Sequence, residues 1–157
     1  MPPAPAEDNR VISFATEAAW NTAKWDVMGA QVTKYQGNPY NDFNVSVGSL
    51  FERLRQPGGS SVLLPGTFEG DLRNVREMVA ASMTPATTSS LSACHDLMLK
   101  SHVLTDLEIL AEAQSSQGPE RQQALLSLDR RLEVVGSYVS DKQYLLGIRR
   151  AAMELMR

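Results

Sequence analysis

Apolar residues recur along most of this chain at alternating spacings of three and four, the repeat of an amphipathic helix. Phe14, Ala18, Asn21, Trp25, Met28, Val32 and Tyr35 predict one helix from Ser13 to Tyr35, with Asn21 as a polar break in a heptad seam. Val47, Leu50, Phe51 and Leu54 form the apolar face of a second, for which Ser46 is the expected N-cap. Leu72, Val75, Val79 and Met83 predict a third from Thr67 to Met83, capped by Thr67. The longest run, Ser89 to Gln117, carries Leu91, Cys94, Leu97, Met98, Val103, Leu104, Leu107, Leu110 and Ala111. A face that wide is suited to contact on more than one side. After Gly118-Pro119 a fifth helix places Leu125, Leu128, Leu132, Val135 and Val139 on one side. Ser140-Asp141-Lys142-Gln143 fits a capping box that opens a sixth.

The segments between these runs are rich in turn formers. Three prolines among the first five residues predict a flexible arm over residues 1–10. Gln36 to Ser46 reads as a loop around Gly37 and Pro39. Ser61-Val62-Leu63-Leu64 is the one strand candidate, and it has no clear pairing partner. The expected fold is therefore mostly α. A helical bundle fills the C-terminal half, helices and long loops fill the N-terminal half, and there is little or no sheet. Residues 11–157 form one helical domain, with the Thr84–Ser90 stretch as the place where it would divide.

Composition narrows the function classes. Net charge is −3 and the charges are spread over the whole chain, so no basic stripe suits a nucleic-acid backbone. Cys94 is the only cysteine, which excludes an internal disulfide. No run reaches the roughly 18 apolar residues of a membrane span. The first residues lack the basic and apolar regions of a cleavable signal, so cytoplasmic synthesis is expected, with the final location open.

Candidate chemistry is sparse. There is no phosphate-cradling glycine motif and no paired-cysteine zinc pattern. His95 and His102 lie two helical turns apart, about 10 Å along the axis, too far to share an ion. His102 and Asp106 are one turn apart and supply two ligands, short of a metal site. The expectation is no catalytic residue, no metal, no cofactor and no small-molecule ligand. The positive signal is apolar helical surface beyond what one core needs, which points to protein partners, either copies of the chain or other subunits. Trp20 and Trp25 are both candidate partner contacts; they lie about 140° apart on a helix, so if Trp25 serves the core, Trp20 is left for a partner. Tyr40 and Phe43, aromatic within a polar loop, are the other candidate partner contacts.

In its leucine spacing after a Pro/Ser/Thr break, Leu91–Ala111 is similar to the terminal helix of rod and needle subunits of type III secretion. That likeness covers one helix of a chain that continues well beyond it, and it assigns no family. The expected function is a non-enzymatic structural or adaptor subunit of a larger assembly, such as a secretion-apparatus or virion component. The alternative is a small helical enzyme or ligand-binding protein with a site between C-terminal helices. A binder would show a closed apolar pocket; a subunit would show apolar side chains on outward helix faces.

Overall fold

A computed structural model describes residues 6–55, 67–85, 89–134 and 139–155, with side chains from Asn9 onward. Among the described residues the protein is all-helical, with seven α-helices and no strand. In chain order they are α1 (Ala6–Asn21), α2 (Trp25–Lys34), α3 (Phe43–Arg55), α4 (Phe68–Ala81), α5 (Leu91–Ser115), α6 (Pro119–Val134) and α7 (Val139–Leu155), with a 3-10 turn at Pro39–Asn41. The strand candidate Ser61–Leu64 lies outside the described residues. The chain forms two compact units, Met1–Met78 and Val79–Arg157, so the packing boundary precedes the 84–90 stretch where the sequence suggested a division. A break in helicity at Thr84-Pro85 and a break in packing need not coincide.

The N-terminal unit corrects two expectations. Helix begins at Ala6, so residues 6–10 are not an extended arm. The proline constraint ends at Pro5, and Ala-Glu-Asp is a sound first turn once past it. The single predicted helix over 13–35 is two helices, α1 and α2, reversed at Thr22-Ala23-Lys24. There Ala23 N–H donates to the Trp20 carbonyl (3.3 Å) and Lys24 N–H to the Ala19 carbonyl (2.9 Å). This is the paired-bond C-terminal stop in which the residue after the cap turns left-handed, and Ala23 has φ +56°. The Thr22 hydroxyl adds a bond to the Ala18 carbonyl at 2.8 Å. Reciprocal bonds between the Asn9 side chain and the Gln36 backbone, 3.2 and 3.3 Å, then close the open ends of the α1–α2 hairpin. An alanine held left-handed is strained, whereas glycine is not. Ala23→Gly is therefore expected to stabilise the unit by about 0.5–1 kcal/mol, the strain relieved less the added entropy of the unfolded chain. Urea-induced unfolding checks this; a lower midpoint would sink it.

α3 begins at Phe43, four residues before the start that a Ser46 cap predicts. Asp42 is its cap, accepting from Val45 N–H at 3.0 Å and from the Ser13 hydroxyl at 3.0 Å. Ser46 is instead buried inside the helix, its hydroxyl turned back to the Asp42 carbonyl at 2.8 Å. α3 packs on both α1 and α2, and Gly48 is what lets it approach. A Cβ built at Gly48 would lie 2.7 Å from Thr16 Cγ2 and 2.8 Å from Val32 Cγ2, closer than carbon atoms can come. Around this crossing Ile12, Val32 and Val45 are buried against one another, with Tyr35 packed at the edge.

In the C-terminal unit α5 is the central element, contacted by both α6 and α7. Ser90 caps it, accepting from Ala93 N–H at 3.3 Å. Gly118, left-handed at φ +66°, turns the chain so that α6 returns antiparallel along α5. Arg131 consequently meets Asp106, the two being nearly equidistant in sequence from Gly118. Leu97, Val103, Leu104, Leu107 and Leu110 of α5 pack inward with Leu128 of α6 and Leu145 and Ile148 of α7. Of the described members of the predicted α6 stripe only Leu128 is fully buried; Leu125 and Leu132 are half-buried, Val139 belongs to α7, where it is exposed, and Val135 lies outside the described residues. Helix α7 starts one residue before the proposed Ser140 cap.

Candidate protein-interaction surface

Of the four expected partner contacts, Trp20 is buried and Trp25, Tyr40 and Phe43 are half-buried. Trp20 is 2% exposed and meets Phe51 edge-on, ring centroids 5.5 Å apart. It is a core residue, the reverse of the expectation. The 140° separation from Trp25 presumed one continuous helix, and the reversal at Ala23 removes that premise. Trp25 is half-buried against the other side of Phe51, at 6.0 Å. Tyr40 and Phe43 are half-buried.

Tyr40 is held by a buried polar cluster. Its hydroxyl donates to Asp71 Oδ1 at 2.7 Å and accepts from Asn74 Nδ2 at 3.2 Å. Arg53 Nε donates to Asp71 Oδ2 at 2.9 Å, and the two side chains are 8% and 7% exposed. Asp71 thus joins the 3-10 turn, α3 and α4. Burial and the Asp71 carboxylate raise the Tyr40 phenol above its usual value near 10, so it stays a neutral donor.

The C-terminal unit has a comparable centre. Buried Asp106 accepts from Arg131 Nε at 2.7 Å, and Arg131 Nη2 reaches the His102 carbonyl at 3.4 Å. His102 Nε2 is buried, finds no hydrogen-bond partner among the described residues, and stands 3.6 Å from Asp106 Oδ2. Arg131 takes Asp106 Oδ1, and the other oxygen, Oδ2, is the one that faces His102. On α7, Arg149 bonds Asp129 (2.8 Å) and the Leu128 carbonyl (2.8 Å), while His95 Nε2 and Asp141 Oδ2 lie 2.5 Å apart. Among the described residues no three His, Cys, Asp or Glu side chains gather as metal ligands.

Burial lowers the His102 pKa from its usual 6.5; Arg131 and Arg149 push the same way, against Asp106. The unfolded chain therefore takes up the proton first as pH falls. This group's contribution to stability is fully present above about pH 6.5 and is lost below it. His102→Gln is expected to flatten the stability–pH slope just below pH 6.5, before carboxylates titrate near pH 4. Denaturant melts at successive pH values test it, and an unchanged slope would refute the assignment.

Beside His102 runs a groove of about 470 Å³, lined by Met83, Cys94, Leu97, Met98, Ser101, His102, Thr105 and Arg131. It is open along the surface rather than closed. Met98 and Met83 are 72% and 53% exposed, and Leu91, 88% exposed, continues the same side of α5. On α1 of the other unit, Val11 and Phe14, one turn apart, are 63% and 70% exposed. None of these residues stood out as a partner contact in the sequence. The usable signal was the three-four spacing of Leu91, Cys94, Met98, Ser101 and Thr105, a second stripe beside the buried one.

No helix among the described residues is long and apolar enough to cross a membrane. No curated protein and no solved structure matches the chain. The model of the FAT domain family matches residues 13–156, nearly the whole chain. FAT domains are all-helical scaffold domains of PIKK-family kinases, themselves non-catalytic, and they mediate protein–protein contacts. With its seven described helices and that match over both units, the chain belongs to the FAT domain family.

Proposed function

We propose that the chain is a non-enzymatic scaffold or adaptor domain that acts in a larger assembly through contacts with other protein chains. The family supports this, and so does one surface observation. Side chains as large as Phe14 and Val11 stand on the outer face of α1, while the inner face supplies Ile12, Ala19 and Trp20 to the core. Isolated exposed apolar residues are common, but a bulky pair one helical turn apart makes a patch that a partner can cover. The open shape of the α5 groove favours this over a small-molecule binder, which needs enclosure.

Native mass spectrometry of the chain purified from its own source, with and without Phe14→Glu, tests the proposal. The wild-type chain is expected to carry protein partners that the variant loses. The variant's thermal stability should change by less than about 0.5 kcal/mol, as for other surface substitutions. A wild-type chain that stays alone, or partners that ignore Phe14→Glu, would count against it.

A further inference from the structure

We propose that the α5 groove is a docking site for one amphipathic helix of a partner protein, carrying apolar side chains at three-four spacing and one carboxylate directed at Arg131. This deepens the scaffold reading above and rests on it. The first support is geometric. Leu91, Cys94, Met98, Ser101 and Thr105 fall within a narrow arc of α5 and run straight for about 21 Å, four turns. A straight stripe with helical period is matched by another helix lying along it. Ser101 and Thr105 are small, which allows backbones to approach, and the Thr105 hydroxyl is already bonded to the Ser101 carbonyl at 3.1 Å. The long, unbranched side chains of Met83 and Met98 adapt to whatever packs between them.

Charge specifies the occupant further. Among the described lining residues Arg131 is the only one with a permanent charge, and Met83, Leu97 and Met98 give the groove its apolar walls. Its guanidinium has five N–H donors. One is engaged by Asp106 and one by the His102 carbonyl, and the side chain keeps 29% exposure. A carboxylate on the visiting helix can accept from the Nη donors that Asp106, bonded at Nε, leaves open, while an amine offers them no acceptor.

Cys94, the single cysteine and part of the groove wall, is a built-in reporter. The experiment uses the full chain and two synthetic helical peptides of about 18 residues, long enough to cover the stripe. Both carry leucine at three-four spacing and differ only in Glu or Lys at the position facing Arg131. Binding is read by fluorescence anisotropy and by the rate of maleimide alkylation of Cys94. The Glu peptide is expected to bind and slow alkylation, with the Lys peptide weaker by about fivefold or more, the range of a partly exposed charge contact. Met98→Glu is expected to abolish protection while the thermal midpoint holds. Equal protection by both peptides, no protection by either, or protection that survives Met98→Glu would each overturn the proposal. If no peptide protects Cys94 yet native partners still depend on Phe14, the groove proposal falls and the scaffold reading stands. If the wild-type chain has no native partner at all, both fall.

Discussion

Trp20→Ala is expected to destabilise the N-terminal unit by about 3–5 kcal/mol, the cost of removing a fully buried large aromatic. That is a large share of the roughly 5–15 kcal/mol by which a domain is stable. The ring is 2% exposed and sits edge-on to Phe51, so its loss leaves a cavity and deprives Phe51 of one of its two aromatic neighbours. Trp25→Ala should cost clearly less, because Trp25 is half-buried and solvent can occupy part of the space it vacates. Urea titrations of the three proteins decide the order. If Trp25 proved the more costly of the two, the packing of α1 on α3 described above would be wrong.

The second large effect is expected at Asp71. Asp71→Ala takes the carboxylate from a buried ion pair with Arg53 and the acceptor from the Tyr40 hydroxyl. Removing one partner of a buried pair costs about 3–5 kcal/mol. Tyr40→Phe, which removes only a hydroxyl, should cost about 1 kcal/mol. Urea titrations check both values, and an Asp71→Ala cost no larger than that of Tyr40→Phe would refute the role given to the buried pair.

Helix periodicity carried most of the fold. The stripes of Val47–Leu54, Leu72–Val79 and Leu97–Leu110 are the buried faces of α3, α4 and α5, and the stop at Gly118-Pro119 is where the chain reverses. The α1–α2 reversal was illegible because its left-handed residue is Ala23, where the usual signal is glycine. That one miss inverted the roles of Trp20 and Trp25 and left Phe14, counted in a buried seam, on the surface. The cap of α3 is illegible for another reason: Asp42 and Ser46 are both good caps, and Asp42 is the one that also accepts from Ser13 of α1, 29 residues away. Asp71 and Asp106 find their arginines 18 and 25 residues away, beyond any local pattern. The stripe along α5 was visible as spacing, but which of its two apolar sides stays uncovered depends on where α6 and α7 pack.

The close crossing at Gly48 bears on how costly recognition at α1 would be. Binding is weakened by whatever motion it must freeze. With no side chain between α3 and its neighbours, Thr16 and Val32 lie against the α3 backbone itself, and α1 has little room to rock or slide. Val11 and Phe14 are therefore presented from a support that is already still. A partner closing over them has only their own side-chain rotamers to immobilise, so most of the contact free energy is available for affinity.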